Sequence, residues 1–229
     1  MAIRVALVDD QALIRAGFRS IIESASDIEV VGEAADGNAA LTMLDRIPTD
    51  VVLMDIRMPE LDGIETTRQI VDNPAQSSVR VIILTTFELD EYVVESLRAG
   101  ASGFLDKGVE PDTLLDAIRI VAAGDALLTP KATRALLARF TIGSPQASLD
   151  DAAIRTLTDR ERELTGLAGH GLSNDEIAQR LHLSPLTVKT HINRAMNKLN
   201  VRDRAQLVIT ALRTGLATLD EVPPPDRNQ

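Results

Sequence analysis

Along the first 124 residues, short apolar runs alternate with stretches in which apolar residues recur every three or four positions. The runs are Arg4–Val8, Ile28–Glu33, Val51–Met54, Arg80–Leu84 and Gly103–Leu105. Amphipathic stretches separate them near Ala12–Ile22, Asn38–Arg46, Ile64–Val71 and Tyr92–Ala99, and Thr113–Ala122 closes the series before Gly124. Five strands alternating with five helices predict an α/β domain on a parallel sheet. Val51-Val52-Leu53-Met54 is apolar without interruption, as in a strand covered on both faces.

Beyond residue 124 the strand pattern stops. Lys131–Phe140 reads as a helix opened by Thr129-Pro130, and Thr141–Ser148 reads as a flexible joint, so 125–153 is expected to be a helical and flexible linker. Helical patterns then run from about Asp159 to Thr214, and 218–229, with Pro223-Pro224-Pro225, is expected to be a disordered tail.

Composition narrows the possibilities. Only 2% of the residues are aromatic and there is no Cys, so the cores must be aliphatic, and disulfides and thiolate metal sites are excluded. No apolar run reaches the roughly 18–20 residues of a membrane helix, and Met1–Val5 leads straight into a strand pattern, so a cytoplasmic protein is expected, without membrane partners. The net charge of −10 is unevenly spread. Residues 1–124 hold 10 Lys/Arg against 22 Asp/Glu, whereas 157–213 hold 9 against 6. That asymmetry predicts two domains with different partners.

Chemistry-bearing residues fall where the strands end. Asp9 and Asp10 close the first, Asp55 the third and Thr85 the fourth, and Lys107 follows the fifth. Open parallel sheets bind ligands outside the carboxyl ends of their strands, so these five should share one crevice. Two carboxylates about 4 Å apart repel by about 4 kcal/mol at an effective dielectric near about 20, so three need a cation or raised pKa values. An all-oxygen set favours a hard ion such as Mg²⁺. A carboxylate beside such an ion, with a Lys and a hydroxyl nearby, is equipped to accept a phosphoryl group. One strand-end Asp alone would read as a helix cap. The full set does not.

Val8-Asp9-Asp10, then Asp55-Ile56-Arg57-Met58-Pro59-Glu60-Leu61-Asp62-Gly63, Leu84-Thr85 and Lys107 closely resemble the receiver domain of two-component response regulators across residues 1–124. The resemblance implies a flavodoxin-like, doubly wound (βα)5 fold in which Asp55 takes a phosphoryl group from a sensor histidine kinase. It further implies that Asp10, Asp55 and the Arg57 backbone carbonyl bind Mg²⁺, with Asp9 assisting through water. Lys107 would hold a phosphoryl oxygen, and Thr85 would bond the phosphate and shift, drawing Phe104 inward. Thr86, Asp106 and Gly108 depart from the residues usual in the family and bear on phosphorylation lifetime and switching.

In the second half, Thr158 and Glu161 form the pattern of a capping box. Ser173 caps a helix whose inward face is Ile177, Ala178 and Leu181, and after His182-Leu183 a further helix starts at Ser184-Pro185 and runs to about Leu199. Two helices joined by so short a turn predict a helix-turn-helix in an all-α domain. On the second, Val188, Ile192, Ala195 and Leu199 should be buried. Residues 184–204 carry Lys189, Arg194, Lys198, Arg202 and Arg204 against Asp203 alone, a strip suited to phosphates.

Glu176-Ile177-Ala178, Ser184, Thr187-Val188-Lys189, His191, Lys198-Leu199 and Val201 resemble the LuxR-type DNA-binding domain over 154–217. This implies that the second helix enters the major groove, with Lys189, Thr190 and Asn193 at bases and Thr187, Lys198 and Arg202 at phosphates. The last helix, about Arg204–Thr214, would dimerise through Leu207, Val208 and Ala211. Together the halves resemble the NarL/FixJ class of response regulator, a homodimer on activation that binds inverted or tandem DNA half-sites. A constitutive DNA binder with the receiver as a dimerisation module is the competing reading. A dedicated aspartyl-phosphate phosphatase is disfavoured, because such enzymes need a second Asp two residues after the nucleophile, where Arg57 stands here.

Overall fold

The computed structural model describes residues 2–85, 90–125 and 153–217. Thr86, the expected helix at 131–140, the joint at 141–148 and the tail at 218–229 lie outside the described residues. The chain divides into two compact units, Met1–Leu127 and Leu128–Gln229.

The first unit alternates as its pattern predicts. Its elements are β1 (Ile3–Val8), α1 (Ala12–Ile22), β2 (Ile28–Ala34), α2 (Gly37–Leu44), β3 (Val51–Asp55), α3 (Gly63–Asp72), β4 (Arg80–Thr85), α4 (Asp90–Ala99), β5 (Gly103–Asp106) and α5 (Pro111–Ala122). A 3₁₀ turn at Pro74–Gln76, not foreseen, is started by Asn73, whose side chain accepts from the Ala75 amide. The five strands form one parallel sheet in the order β2-β1-β3-β4-β5. That reversal at β1 is the arrangement of doubly wound sheets, whose ligand crevice opens beside β1 and β3.

Strand alternation supplies two apolar faces. One set, including Val5, Leu7, Leu53, Ile82 and Leu84, packs with Phe18 and Ile22 of α1 and Leu114, Ile118 and Val121 of α5. The alternate residues Ala6, Val52, Met54, Val81 and Ile83 are equally buried. The core is aliphatic apart from Phe18, as the composition requires.

The second unit is helical among its described residues: α6 (Asp159–Gly169), α7 (Asn174–Leu181), α8 (Pro185–Leu199) and α9 (Arg204–Arg213). Thr158 and Ser173 each complete a capping box, with Glu161 and Glu176 respectively. Ser184 caps α8, and Pro185 takes its first turn. His182 ends α7 in the left-handed region, which lets the chain turn through Leu183 directly into the next cap. Leu164, Ala168, Ile177, Val188, Ile192, Ala195 and Leu207 meet in one apolar cluster. No helix among the described residues is long and apolar enough to cross a membrane.

Candidate phosphoacceptor and nucleic-acid sites

The sheet gathers the acidic residues as its topology demands. Val8 and Met54 are register partners, so the next residues on β1 and β3 emerge side by side. Asp9, Asp10 and Asp55 each present a carboxylate oxygen within 4.8 Å of the others. Asp9 and Asp55 are buried and Asp10 is exposed. Lys107 reaches in from the end of β5, its Nζ 2.6 Å from Asp9 Oδ2 and 3.0 Å from Asp55 Oδ2. Its backbone is pinned by donating from the amide to the Thr85 carbonyl at 2.8 Å. Thr85 itself is buried at the end of β4.

The loop after Asp55 is shaped by close approach. A Cβ added at Gly63 would stand 1.9 Å from the Asp55 carbonyl oxygen, so no other residue fits without moving the acceptor strand. The Gly63 amide donates to the Ile56 carbonyl at 2.9 Å, and Asp62 caps α3 by accepting from the Glu65 amide at 2.8 Å. Glu60, between Pro59 and Leu61, holds a left-handed φ of 63° that tightens the turn. The motif therefore moulds the loop that follows Asp55. Arg57 projects outward, its guanidinium 5.8 Å from the centre of the Tyr92 ring on α4.

Electrostatics set the poise. Burial pushes the Asp55 carboxyl above the usual carboxylate range, against the opposing pull of Lys107. Burial alone would lower the Lys107 ammonium, but hydrogen bonds to Asp9 and Asp55 outweigh it and hold the group above its ordinary value. The three charges thus form a strained carboxylate pair bridged by one cation. All available donors are oxygens, as a hard divalent ion prefers, and the anionic surplus supplies the attraction for one. Asp106 turns away from this crevice: its exposed carboxylate accepts from the Gly108 amide at 2.6 Å. Phe104 is half-buried on β5.

The DNA-side residues divide more sharply than their sequence suggests. Val188, Ile192 and Ala195 are buried. Thr190 and Asn193 are exposed, and Lys189 and Thr187 are half-buried. The Thr187 hydroxyl shares a 2.8 Å hydrogen bond with that of Ser184, inside the cap. Lys198 is accessible but bonds Glu161 Oε2 at 2.7 Å, tying α8 to the capping box of α6.

Two expectations need correction. The Arg202 side chain is only 13% exposed and its Nε lies 3.5 Å from Asp203 Oδ2, so it serves the turn between α8 and α9 and does not reach outward to phosphate. Arg204 likewise is buried, donating to Asn174 Oδ1 at 2.7 Å and to the Leu172 carbonyl. Leu207 belongs to the domain's own apolar cluster, and a Cβ at Gly169 would meet that of Ala211 at 2.8 Å, so both pack inward and form no free dimer face. Val208 is buried as well. A feature missed in sequence is Leu186, an exposed leucine on the first turn of α8; its position off the buried 188–192–195 stripe was the available signal.

Comparison with known proteins agrees with this anatomy. A family model described as response regulator receiver domain matches residues 5–119, and one for bacterial regulatory proteins of the luxR family matches 155–211. The chain is 41% identical over 214 residues to the uncharacterized transcriptional regulatory protein YxjL of Bacillus subtilis (strain 168), covering 93% of this chain and 97% of the relative. It is 36% identical over 216 residues to the response regulator protein VraR of Staphylococcus aureus (strain COL), covering 94% and 99%. Among solved structures, the response regulator ChrA of a heme-sensing two-component system aligns over 94% of this chain and 98% of its own, with 35% identity and a TM-score of 0.50.

Proposed function

The chain belongs to the response regulators that join a receiver domain to a LuxR-family DNA-binding domain, and from that membership we propose that Asp55 is the phosphoacceptor whose esterification controls DNA binding through α8. The observation that carries the assignment is the position of Asp55: buried, at the carboxyl end of β3, within 3.0 Å of Lys107 Nζ and grouped with Asp9 and Asp10. The receiver spans about 1–124 and the DNA reader about 154–217, joined by a linker.

In the transfer step, an Asp55 carboxylate oxygen bonds the phosphorus of a phosphohistidine on the sensor kinase as the P–N bond breaks. The bonding pair leaves on the imidazole nitrogen, and Asp55 becomes an acyl phosphate. Lys107, already at hydrogen-bond distance, follows an oxygen of the arriving group and offsets its charge. Asp9, Asp10, Asp55 and the Arg57 carbonyl would hold Mg²⁺. When bound, that ion neutralises charge on the phosphoryl oxygens. Thr85, whose carbonyl accepts from the Lys107 amide, would bond the phosphoryl group, and half-buried Phe104 would turn inward. Water later attacks phosphorus, restoring the carboxylate and releasing inorganic phosphate. The receiver thus modifies only itself.

The output is transcriptional. Lys189, Thr190 and Asn193 meet base edges, with Thr187, Arg194 and Lys198 near the backbone. Phosphorylation favours a homodimer that engages two half-sites, and effective concentration then multiplies the weak affinity of each. Such work belongs in the cytoplasm. The decisive experiment is labelling by acetyl phosphate with Mg²⁺, followed by DNA-binding titration. The wild type should incorporate one phosphoryl group and bind DNA more tightly, and Asp55→Asn should do neither. Persistent labelling of the variant sinks the assignment, and equal DNA affinity with and without label sinks the gating.

A further inference from the structure

The accessible face of α8 is not uniformly polar. Leu186 is 75% exposed on the first turn, fixed there by the Ser184 cap and by Pro185. Thr190 follows one turn later and Asn193 two turns later, both exposed. An isolated exposed leucine needs no explanation by itself. This one has particular neighbours. The Thr190 hydroxyl donates to the Leu186 carbonyl at 2.9 Å, so its proton is spent on the helix. What Thr190 can present outward is its methyl group and its acceptor lone pairs. No acidic residue occurs anywhere in α8, while Lys189, Arg194 and Lys198 lie along it. A polyanion is welcome there, and the apolar patch sits at the N-terminal end of the same helix. Within the major groove, the apolar group a duplex offers is the thymine 5-methyl.

We propose that Leu186, with the Thr190 methyl beside it, reads thymine 5-methyl groups, so that A·T pairs at fixed positions form part of each half-site. The proposal rests on α8 being the DNA-reading helix. It assigns base preference to a residue outside the Lys189, Thr190 and Asn193 set, and it works by burying carbon and not by hydrogen bonding. Leu186 contributes nothing to the domain's core, so its replacement leaves the fold intact.

The test uses the full chain, treated with acetyl phosphate, and a duplex selected by it from a randomised library. Each thymine is then replaced singly by deoxyuridine, which removes the methyl and keeps every hydrogen-bonding group. Burial of one methyl corresponds to about a fourfold change in Kd. The wild type should lose about that factor at one or two positions. Leu186→Ala should bind the thymine duplex more weakly and be indifferent to deoxyuridine there, and Leu186→Met, which keeps an apolar chain, should retain the preference. Tight binding that ignores every thymine-to-uracil change, or undiminished uracil sensitivity in Leu186→Ala, overturns the proposal alone. A chain that recovers no duplex overturns the DNA-reading premise and the proposal with it.

Discussion

Replacing Asp55 by Asn should make the apo receiver more stable, an unusual result for removing a charged group bonded to a lysine. The Asp55 side chain is 7% exposed and its pair partners Asp9 and Lys107 are each 5% exposed, so their interactions are little screened. At an effective dielectric near about 20, Lys107 at 3.0 Å attracts Asp55 by about 5.5 kcal/mol, and Asp9 within 4.8 Å repels it by about 3.5 kcal/mol. About 2 kcal/mol remains in favour of ionisation, against a burial cost of several kcal/mol per ion. Burial wins, since the Asp55 carboxyl is held above its ordinary value. With several kcal/mol lost to burial and about 2 kcal/mol regained from the charges, a net penalty of order 1–2 kcal/mol is expected at neutral pH. Asn keeps an acceptor for Lys107 and removes that penalty. The sign with pH follows from linkage. A raised carboxyl takes up its proton in the folded state first, so the penalty is present above the folded pKa and fades as pH falls through it towards the unfolded value. Thermal unfolding in chelator should therefore show Asp55→Asn above the wild type by about 4 °C near neutral pH, with the gap closing on acidification. Adding Mg²⁺ should reverse the order, because the wild type gains binding free energy that the variant largely lacks. A variant less stable in chelator, or stabilised by Mg²⁺ as much as the wild type, would refute the reasoning.

Gly63→Ala should displace the acceptor loop, because its Cβ would lie 1.9 Å from the Asp55 carbonyl oxygen. Phosphorylation by acetyl phosphate should fall at least tenfold while the sheet survives, and normal labelling would contradict the close-approach account. Glu161→Gln should cost the DNA-binding domain about 1 kcal/mol by weakening the capping box and the Lys198 tie. Despite burial, bonds from Lys198 and Thr158 hold the Glu161 carboxyl below its ordinary value, so its contribution is present above about pH 4.5 and lost as pH falls through the depressed pKa. An acid limb unchanged by the substitution would count against it. Tyr92 is the single tyrosine in a chain without tryptophan, and Arg57 stacks over it two residues beyond Asp55. Tyrosine emission should respond to Mg²⁺ with beryllofluoride in the wild type and not in Arg57→Ala, and a silent wild type would show that the acceptor loop does not move Arg57.

The crevice was legible because two short-range patterns fix a long-range result. Alternating strand and helix signals imply a parallel sheet, and a parallel sheet delivers all its strand ends to one edge. Knowing that Asp9, Asp10, Asp55 and Lys107 follow strands was therefore nearly enough to place them together, with no pairing information. The direction in which Asp106 points was not legible, because one backbone amide, that of Gly108, decides it.

The DNA-binding domain was read less well for a reason rooted in its size. A unit of some 65 residues buries a smaller share of its surface than a larger one, so nearly every apolar stripe is spent on its own core. Leu207 and Ala211 carry the amphipathic signal expected of an interface, yet that stripe is consumed by α6. Arg202 and Arg204 raise the local positive charge, but each is held by partners inside the domain. Counting charges along the chain cannot see this, because Arg204 is satisfied by Asn174 and Leu172, about 30 residues away. What α9 leaves accessible is Gln206, Thr210 and Arg213, so any dimer contact made through it must be largely polar. Polar contacts of limited area are weak, and a weak contact is one that receiver phosphorylation can tip. Under the proposed gating, a strong apolar dimer seam on α9 would hold two copies together regardless of Asp55 and leave phosphorylation nothing to control.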